Sequence, residues 1–181
     1  MHKGLLTRAY YAAIVTISNT KNEFEYTKKF ISKYTCKLQE AIQEDALNWA
    51  EAHTAYYQNK LETCVEMLIS YNPKNLHFQR IHKFLAIQVY FDLYLNDASY
   101  LEYLLNYLDA TERWMRREKL SSTNFKKSYL GFIRVCRQLV KTLAEVNYSK
   151  KTIETFLLKE ENILGMEWLQ RKISHVLELK N

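Results

Sequence analysis

Apolar side chains recur along almost the whole chain at intervals of three and four residues, the spacing that gathers them on one face of an α-helix. Followed from end to end, this period predicts helices over 3–20, 23–35, 40–58, 60–71, 76–95, 97–117, 122–147, 150–159 and 161–179. The stretches between them are short, so successive helices should fold back on one another as antiparallel hairpins. Tight turns consume Gly and Pro, and 181 residues hold only 3 Gly and 1 Pro. That scarcity disfavours a sheet protein and leaves an all-α fold.

A second, longer period lies over the first. Asn22, Asn59 and Asn96 are spaced by 37 residues, each where one helix should stop and the next begin. Asn suits such a corner because it tolerates the left-handed backbone that ends a helix. It can also N-cap the following helix, and Asn22-x-x-Glu25 and Asn59-x-x-Glu62 resemble capping boxes. The second helices keep the same register: Phe24, Thr27, Ile31 and Tyr34 align with Leu61, Cys64, Leu68 and Tyr71, then with Ala98, Leu101, Leu105 and Leu108. The first helices align through Ala12 and Val15, Trp49 and Ala52, and Ala86 and Val89. One hairpin cannot bury its apolar face alone, whereas stacked hairpins in register share a continuous core.

The middle repeat reads Trp49-x-x-Ala52-His53-x-x-Tyr56, then Cys64-x-x-x-Leu68, then Pro73. In spacing it resembles the tetratricopeptide pattern Trp-x-x-Leu-Gly-x-x-Tyr, Ala-x-x-x-Phe, Pro, with His53 in place of the small Gly and Cys64 in place of the small Ala. The chain also resembles the C-terminal region of a group of long, uncharacterised bacterial proteins built from such repeats. That likeness is carried by EFEYTKKFISKY, EDALNWAEAHTAYY and ATERWMRREKLSSTNFKKSYLGFIR. It implies a fold and no activity, and it raises the expectation that the chain is a piece of something longer. Leu5, Leu6 and Tyr10 would then form an apolar patch on the first helix.

Residues 118–181 leave the 37-residue register. Ser121-Ser122-Thr123-Asn124 can cap a long amphipathic helix with the stripe Phe125, Tyr129, Phe132, Ile133, Cys136, Leu139, Val140 and Leu143. Phe156, Leu157 and Trp168 are expected core anchors beyond it. The expected architecture is three tetratricopeptide-like hairpins over 1–117, an α-solenoid of period 37, closed by C-terminal capping helices over 118–181.

Composition adds little to this and removes much. Hydrophobic residues at 48% and charged residues at 25% suit an ordered globular chain. No run approaches the 18 or so apolar residues of a membrane-spanning helix. The apolar Ala9–Val15 patch reads as a helix face and not as a signal peptide. Cys36, Cys64 and Cys136 are odd in number and far apart, which suggests buried free thiols in a reducing, cytoplasmic setting. Gly4, Gly131 and Gly165 cannot build a phosphate-cradling loop. His77 and His82 stand five apart, a spacing known among zinc ligands, but with no cysteine nearby they read as structural or surface histidines. His53 and Cys64 could meet as a packed pair or, with a stabilised thiolate, as a reactive one. Glu44–Asp45 and Glu160–Glu161 read as solvated helix starts or surface pairs. No catalytic residue, cofactor or metal site is expected.

Two surfaces remain. Register turns Thr54, Tyr57, Phe91 and Tyr94 towards the inner groove that tetratricopeptide arrays use for peptides, where aromatic rings could anchor a partner segment or simply pack on neighbouring helices. The carboxylate clamp of the family's best-known groove is missing, because its positions hold Ala13, Ile17, Ala50, Thr54, Ile87 and Phe91. The second surface is basic: Arg113, Arg116, Arg117 and Lys119 close one helix, and Lys126, Lys127, Arg134, Arg137 and Lys141 follow on the next, interrupted by Leu130. With a net charge of +6 it could meet nucleic acid, or be a solvated face that also complements a helix dipole. The expected function is a non-enzymatic scaffold or adaptor that binds another protein, a peptide or the rest of a longer repeat chain. The alternative is a nucleic-acid-binding helical-repeat protein using segment 113–141.

Overall fold

The computed structural model describes residues 6–144 and 162–179. Those residues form helices and connections with no strand. In chain order the helices are α1 (Arg8–Thr20), α2 (Phe24–Tyr34), α3 (Gln43–Tyr57), α4 (Leu61–Ser70), α5 (Leu76–Asn96), α6 (Leu101–Arg117), α7 (Thr123–Ala144) and α8 (Met166–Leu179). Short 3₁₀ turns over Thr35–Lys37 and Glu40–Ile42 lead into α3, and one over Ala98–Tyr100 leads into α6. The predicted helix 150–159, its anchors Phe156 and Leu157, the pair Glu160–Glu161 and Leu5 lie outside the described residues.

Capping chemistry explains where the helices begin and end. The first starts at Arg8 and not at residue 3, because the Thr7 hydroxyl accepts from the Tyr10 amide at 3.3 Å and closes an orphan donor. At its far end Asn22 takes φ 60°. The Asn22 amide then donates to the Asn19 carbonyl at 3.0 Å and the Glu23 amide to the Ser18 carbonyl at 2.9 Å. This is the Schellman arrangement, which satisfies carbonyls the helix leaves open. The same device recurs at Asn59, with φ 58° and bonds from Asn59 to Tyr56 and from Lys60 to Ala55.

Asn is therefore the left-handed corner and not the N-cap that the capping-box reading anticipated. Glu23 and Lys60 hold the N-cap positions, without a side-chain cap bond. Asn96 differs from both: it is the last residue of α5, and Asp97 takes over as the cap, accepting from the Ser99 amide at 2.8 Å.

The chain divides into two compact units, Met1–Leu101 and Glu102–Asn181. The division falls between α5 and α6, the pair that the 37-residue register groups as a third hairpin. In the first unit α1 packs on α2 and α3, and α3 in turn on α4 and α5. The core between them holds Tyr11, Val15, Ala46, Trp49, Phe78, Leu85 and Val89. Trp49 is 4% exposed, its ring 4.9 Å from His53 and 6.3 Å from Phe78.

One buried carboxylate ties the connection before α5 to α3. Asp45 accepts from the Tyr71 hydroxyl at 2.7 Å, the Lys74 amide at 3.0 Å and the Asn75 amide at 2.7 Å. Burial, then the bond to Asp45, raises the Tyr71 hydroxyl pKa well above that of an ordinary tyrosine.

In the second unit α7 packs on α8, with Phe132 and Trp168 5.7 Å apart. The predicted α7 stripe is buried at Tyr129, Phe132, Ile133, Cys136, Leu139 and Val140, and part-exposed at Phe125 and Leu143. The last helix begins at Met166 and not at residue 161, following Gly165 at φ 68°. Cys64 and Cys136 are buried thiols as expected, but Cys36 is exposed because it sits in the 3₁₀ turn Thr35–Lys37. Among the described residues no helix is long and apolar enough to cross a membrane.

Candidate functional site

Helix α3 packs against α1, α2, α4 and α5. The side chains expected in an inner groove sit at different depths. Thr54 is 7% and Phe91 0% exposed, so both serve packing; Tyr57 and Tyr94 are part-exposed. Phe91 meets Tyr94 edge-on at 6.5 Å, and Tyr57 lies 4.8 Å from the His53 ring.

Thr54 belongs to a polar seam between α1 and α3. The Asn19 amide nitrogen lies 2.9 Å from His53 Nδ1 and donates to the Thr54 hydroxyl at 3.0 Å, and that hydroxyl donates to the Ala50 carbonyl at 2.8 Å. The Asn19 amide oxygen is buried with no partner. Burial holds His53 neutral, its pKa brought down to about 3. Burial also pushes the Cys64 thiol up to about 12, and Sγ donates to the Ala52 carbonyl at 3.1 Å. A protonated thiol bonded to backbone is a packed group, not an activated nucleophile.

The other histidines follow the same pattern. Burial lowers His82 to about 4, with its Nε2 3.1 Å from the Leu68 carbonyl, and burial lowers His77 as well. Among the described residues no three His, Cys, Asp or Glu side chains cluster to hold a metal ion.

The first unit carries a groove of about 510 Å³ between α2, α3 and α4. Ile31, Leu47, Ala55 and Met67 supply its apolar lining, and Lys28, Lys60 and Glu51 its charges. Thr54, buried though it is, touches the groove floor. Sequence reasoning missed this groove because Ile31, Leu47 and Met67 come from three helices and carry no common spacing. The Leu47 exposure of 36% shows that the lining is open to solvent.

The basic segment is partly neutralised within the second unit. Arg137 bridges α7 to α6, pairing with Glu112 and with Asp109 at 2.5 Å. Arg116 pairs with the same Glu112 at 2.6 Å. Burial opposes ionisation of Glu112, but bonds from Arg116 and Arg137 outweigh it and hold the carboxyl below its usual range. Lys126 donates to the Glu118 carbonyl. Arg113, Arg117, Lys127, Arg134 and Lys141 are exposed. No protein-family model, no curated protein and no solved structure matches the chain.

Proposed function

We propose that this chain is a non-enzymatic interaction module built from tetratricopeptide-like hairpins of period 37, and that a partner's peptide segment lies in the groove between α2, α3 and α4. The observation that carries the reading is the groove itself: about 510 Å³, lined by apolar side chains from three helices. Concave apolar surfaces with a few placed charges are the usual receivers of a partner's side chains. Lys28 is paired with Glu25 at 3.0 Å, which leaves Lys60 beside Glu51, so the lining is near charge balance and suits a segment with apolar anchors. The repeat reading draws support from the recurrence of one helix-ending device at Asn22 and Asn59. The nucleic-acid reading is weakened because Arg116 and Arg137 spend their charge on Glu112 and Asp109.

A random peptide library displayed on phage tests the proposal. Wild-type protein should enrich an apolar consensus, and Leu47→Lys combined with Met67→Lys should abolish the enrichment while leaving the circular dichroism spectrum unchanged. Equal enrichment by the double variant would rule the groove out.

A further inference from the structure

Helices α6 and α7 are joined by residues 118–122 and tied together by Arg137, which reaches from α7 to Asp109 and Glu112 of α6. The connection reads Glu-Lys-Leu-Ser-Ser. Connections of this kind are normally built from small polar residues that suit both the turn and the water around it. Leu120 departs from that rule. It is 83% exposed, more than any other large apolar side chain among the described residues. It also stands outside both helices, so no helical stripe accounts for it.

The backbone around Leu120 is held, and its donors are satisfied from within. The Glu118 carboxylate accepts from the Leu120 amide, and from the Ser121 amide at 2.8 Å. The Ser122 hydroxyl accepts from the Phe125 amide at 3.2 Å, and the Lys126 ammonium donates to the Glu118 carbonyl. An apex wrapped in this way can leave water without stranding its amides, which is the condition for entering an apolar medium.

The charges around the apex have mostly one sign. Arg117, Lys119 and Lys127 are exposed, and Lys126 keeps its charge because its partner is a neutral carbonyl. Glu118 is the one acidic residue from 117 to 127, and Arg116 is offset by Glu112. Four cations against one carboxylate leave a net of three positive charges around a single exposed leucine.

We propose that the α6–α7 tip docks on an anionic lipid bilayer surface. Leu120 enters the boundary between headgroups and acyl chains, and Arg117, Lys119, Lys126 and Lys127 lie among the headgroup phosphates. Two weak signals, one apolar and one basic, together hold a protein on a bilayer where either alone does not. Such contact needs no helix that crosses the membrane. Each cation near an anionic surface strengthens binding by about fivefold, so a net of three favours an anionic over a neutral surface by about a hundredfold. Nucleic acid would meet the same cations but has no use for the leucine. Its bases stack on exposed aromatic rings, and residues 117–124 hold none. The tip belongs to the second unit and the groove to the first, so the two readings stand or fall separately.

Cosedimentation of the full chain with lipid vesicles is the test. Vesicles of phosphatidylcholine with phosphatidylserine should carry the chain down, and vesicles of phosphatidylcholine alone should bind it about a hundredfold less. Added salt should weaken the binding. Leu120→Asn should lower the affinity by about tenfold or more, with the melting temperature and the salt dependence unchanged. Lys119→Glu combined with Lys127→Glu should abolish binding. A polarity-sensitive fluorophore attached at Leu120→Cys, in a Cys36→Ser background, should shift to the blue on the anionic vesicles. A wild-type chain that ignores phosphatidylserine would overturn the proposal, as would Leu120→Asn binding like wild type or a fluorophore that stays in water. Leu120→Asn melting far below wild type would also overturn it, since the side chain would then be packed within the chain. Oligonucleotides are the competing ligand. If one displaces the vesicles and binds wild type and Leu120→Asn alike at nanomolar affinity, the tip belongs to nucleic acid and the proposal fails.

Discussion

At the scale of single residues the informative position is His53, where the tetratricopeptide pattern has glycine. The ring is fully buried between Trp49 and Tyr57, and its Nδ1 sits beside the Asn19 amide. Its pKa in the folded chain is about 3, against 6.5 when unperturbed. The unfolded chain therefore binds the proton more readily. Stability from keeping His53 neutral is fully present above pH 6.5 and is lost as the pH falls from there towards the folded value. At pH 5 the loss from this one group is about 2 kcal/mol. His82, lowered by burial to about 4, acts in the same direction. The folding free energy measured by urea titration should thus fall between pH 7 and pH 5. His53→Gln should flatten that slope, whatever it does to stability at pH 7. An unchanged slope in the variant would mean that His53 can take up a proton in place.

At the scale of elements, the corners at Asn22 and Asn59 decide how one helix turns into the next. Both residues hold a left-handed backbone, which costs a residue with a Cβ roughly 1–2 kcal/mol unless its short polar side chain compensates. Asn59→Gly should therefore be close to neutral, and Asn59→Ala should destabilise by about 1 kcal/mol. For a unit of about 100 residues that corresponds to a drop of roughly 4–8 °C in the melting temperature, readable by calorimetry. Asn22 should give the same pair of results. A harmless Asn59→Ala would show that the corner does not depend on left-handed geometry. Most of this level was legible in the sequence: the spacing of Asn22 and Asn59 located both corners, and apolar periodicity located the helices. The exact starts of α1 and α8 were not legible, because each depends on one local device, the Thr7 cap and the Gly165 turn. Nor was the difference at Asn96, where Asp97 caps the following turn instead.

At the scale of the molecule, the charge of the chain matters less than its sum suggests. Of the nine basic side chains on 113–141, Arg116 and Arg137 are held in ion pairs and Lys126 by a backbone carbonyl. If the six others, all exposed, each met a phosphate, log affinity for duplex DNA would fall against log salt with a slope of about −5.4. Fluorescence anisotropy with labelled oligonucleotides at two salt concentrations should instead find only non-specific binding, weaker than about 10⁻⁶ M at physiological salt. Nanomolar affinity, lost in Arg134→Glu, would restore the nucleic-acid reading.

The sequence by itself determined that the described chain folds into helices, where most of them run and which faces are apolar. These are properties of spacing along one strand of backbone, and a period of 3.6 residues is visible without a partner. Tertiary structure alone decided which of two similar faces is covered. Ala13 and Ala50 read alike in the 37-residue register, yet Ala50 is buried in the core of the first unit and Ala13 is exposed. It also decided that Phe91, an aromatic anchor by register, is buried and that Ile31, Leu47 and Met67 line one groove. The physical reason is that burial and concavity depend on which helices are neighbours. That neighbourhood is set by packing over separations of tens of residues, which no local pattern records.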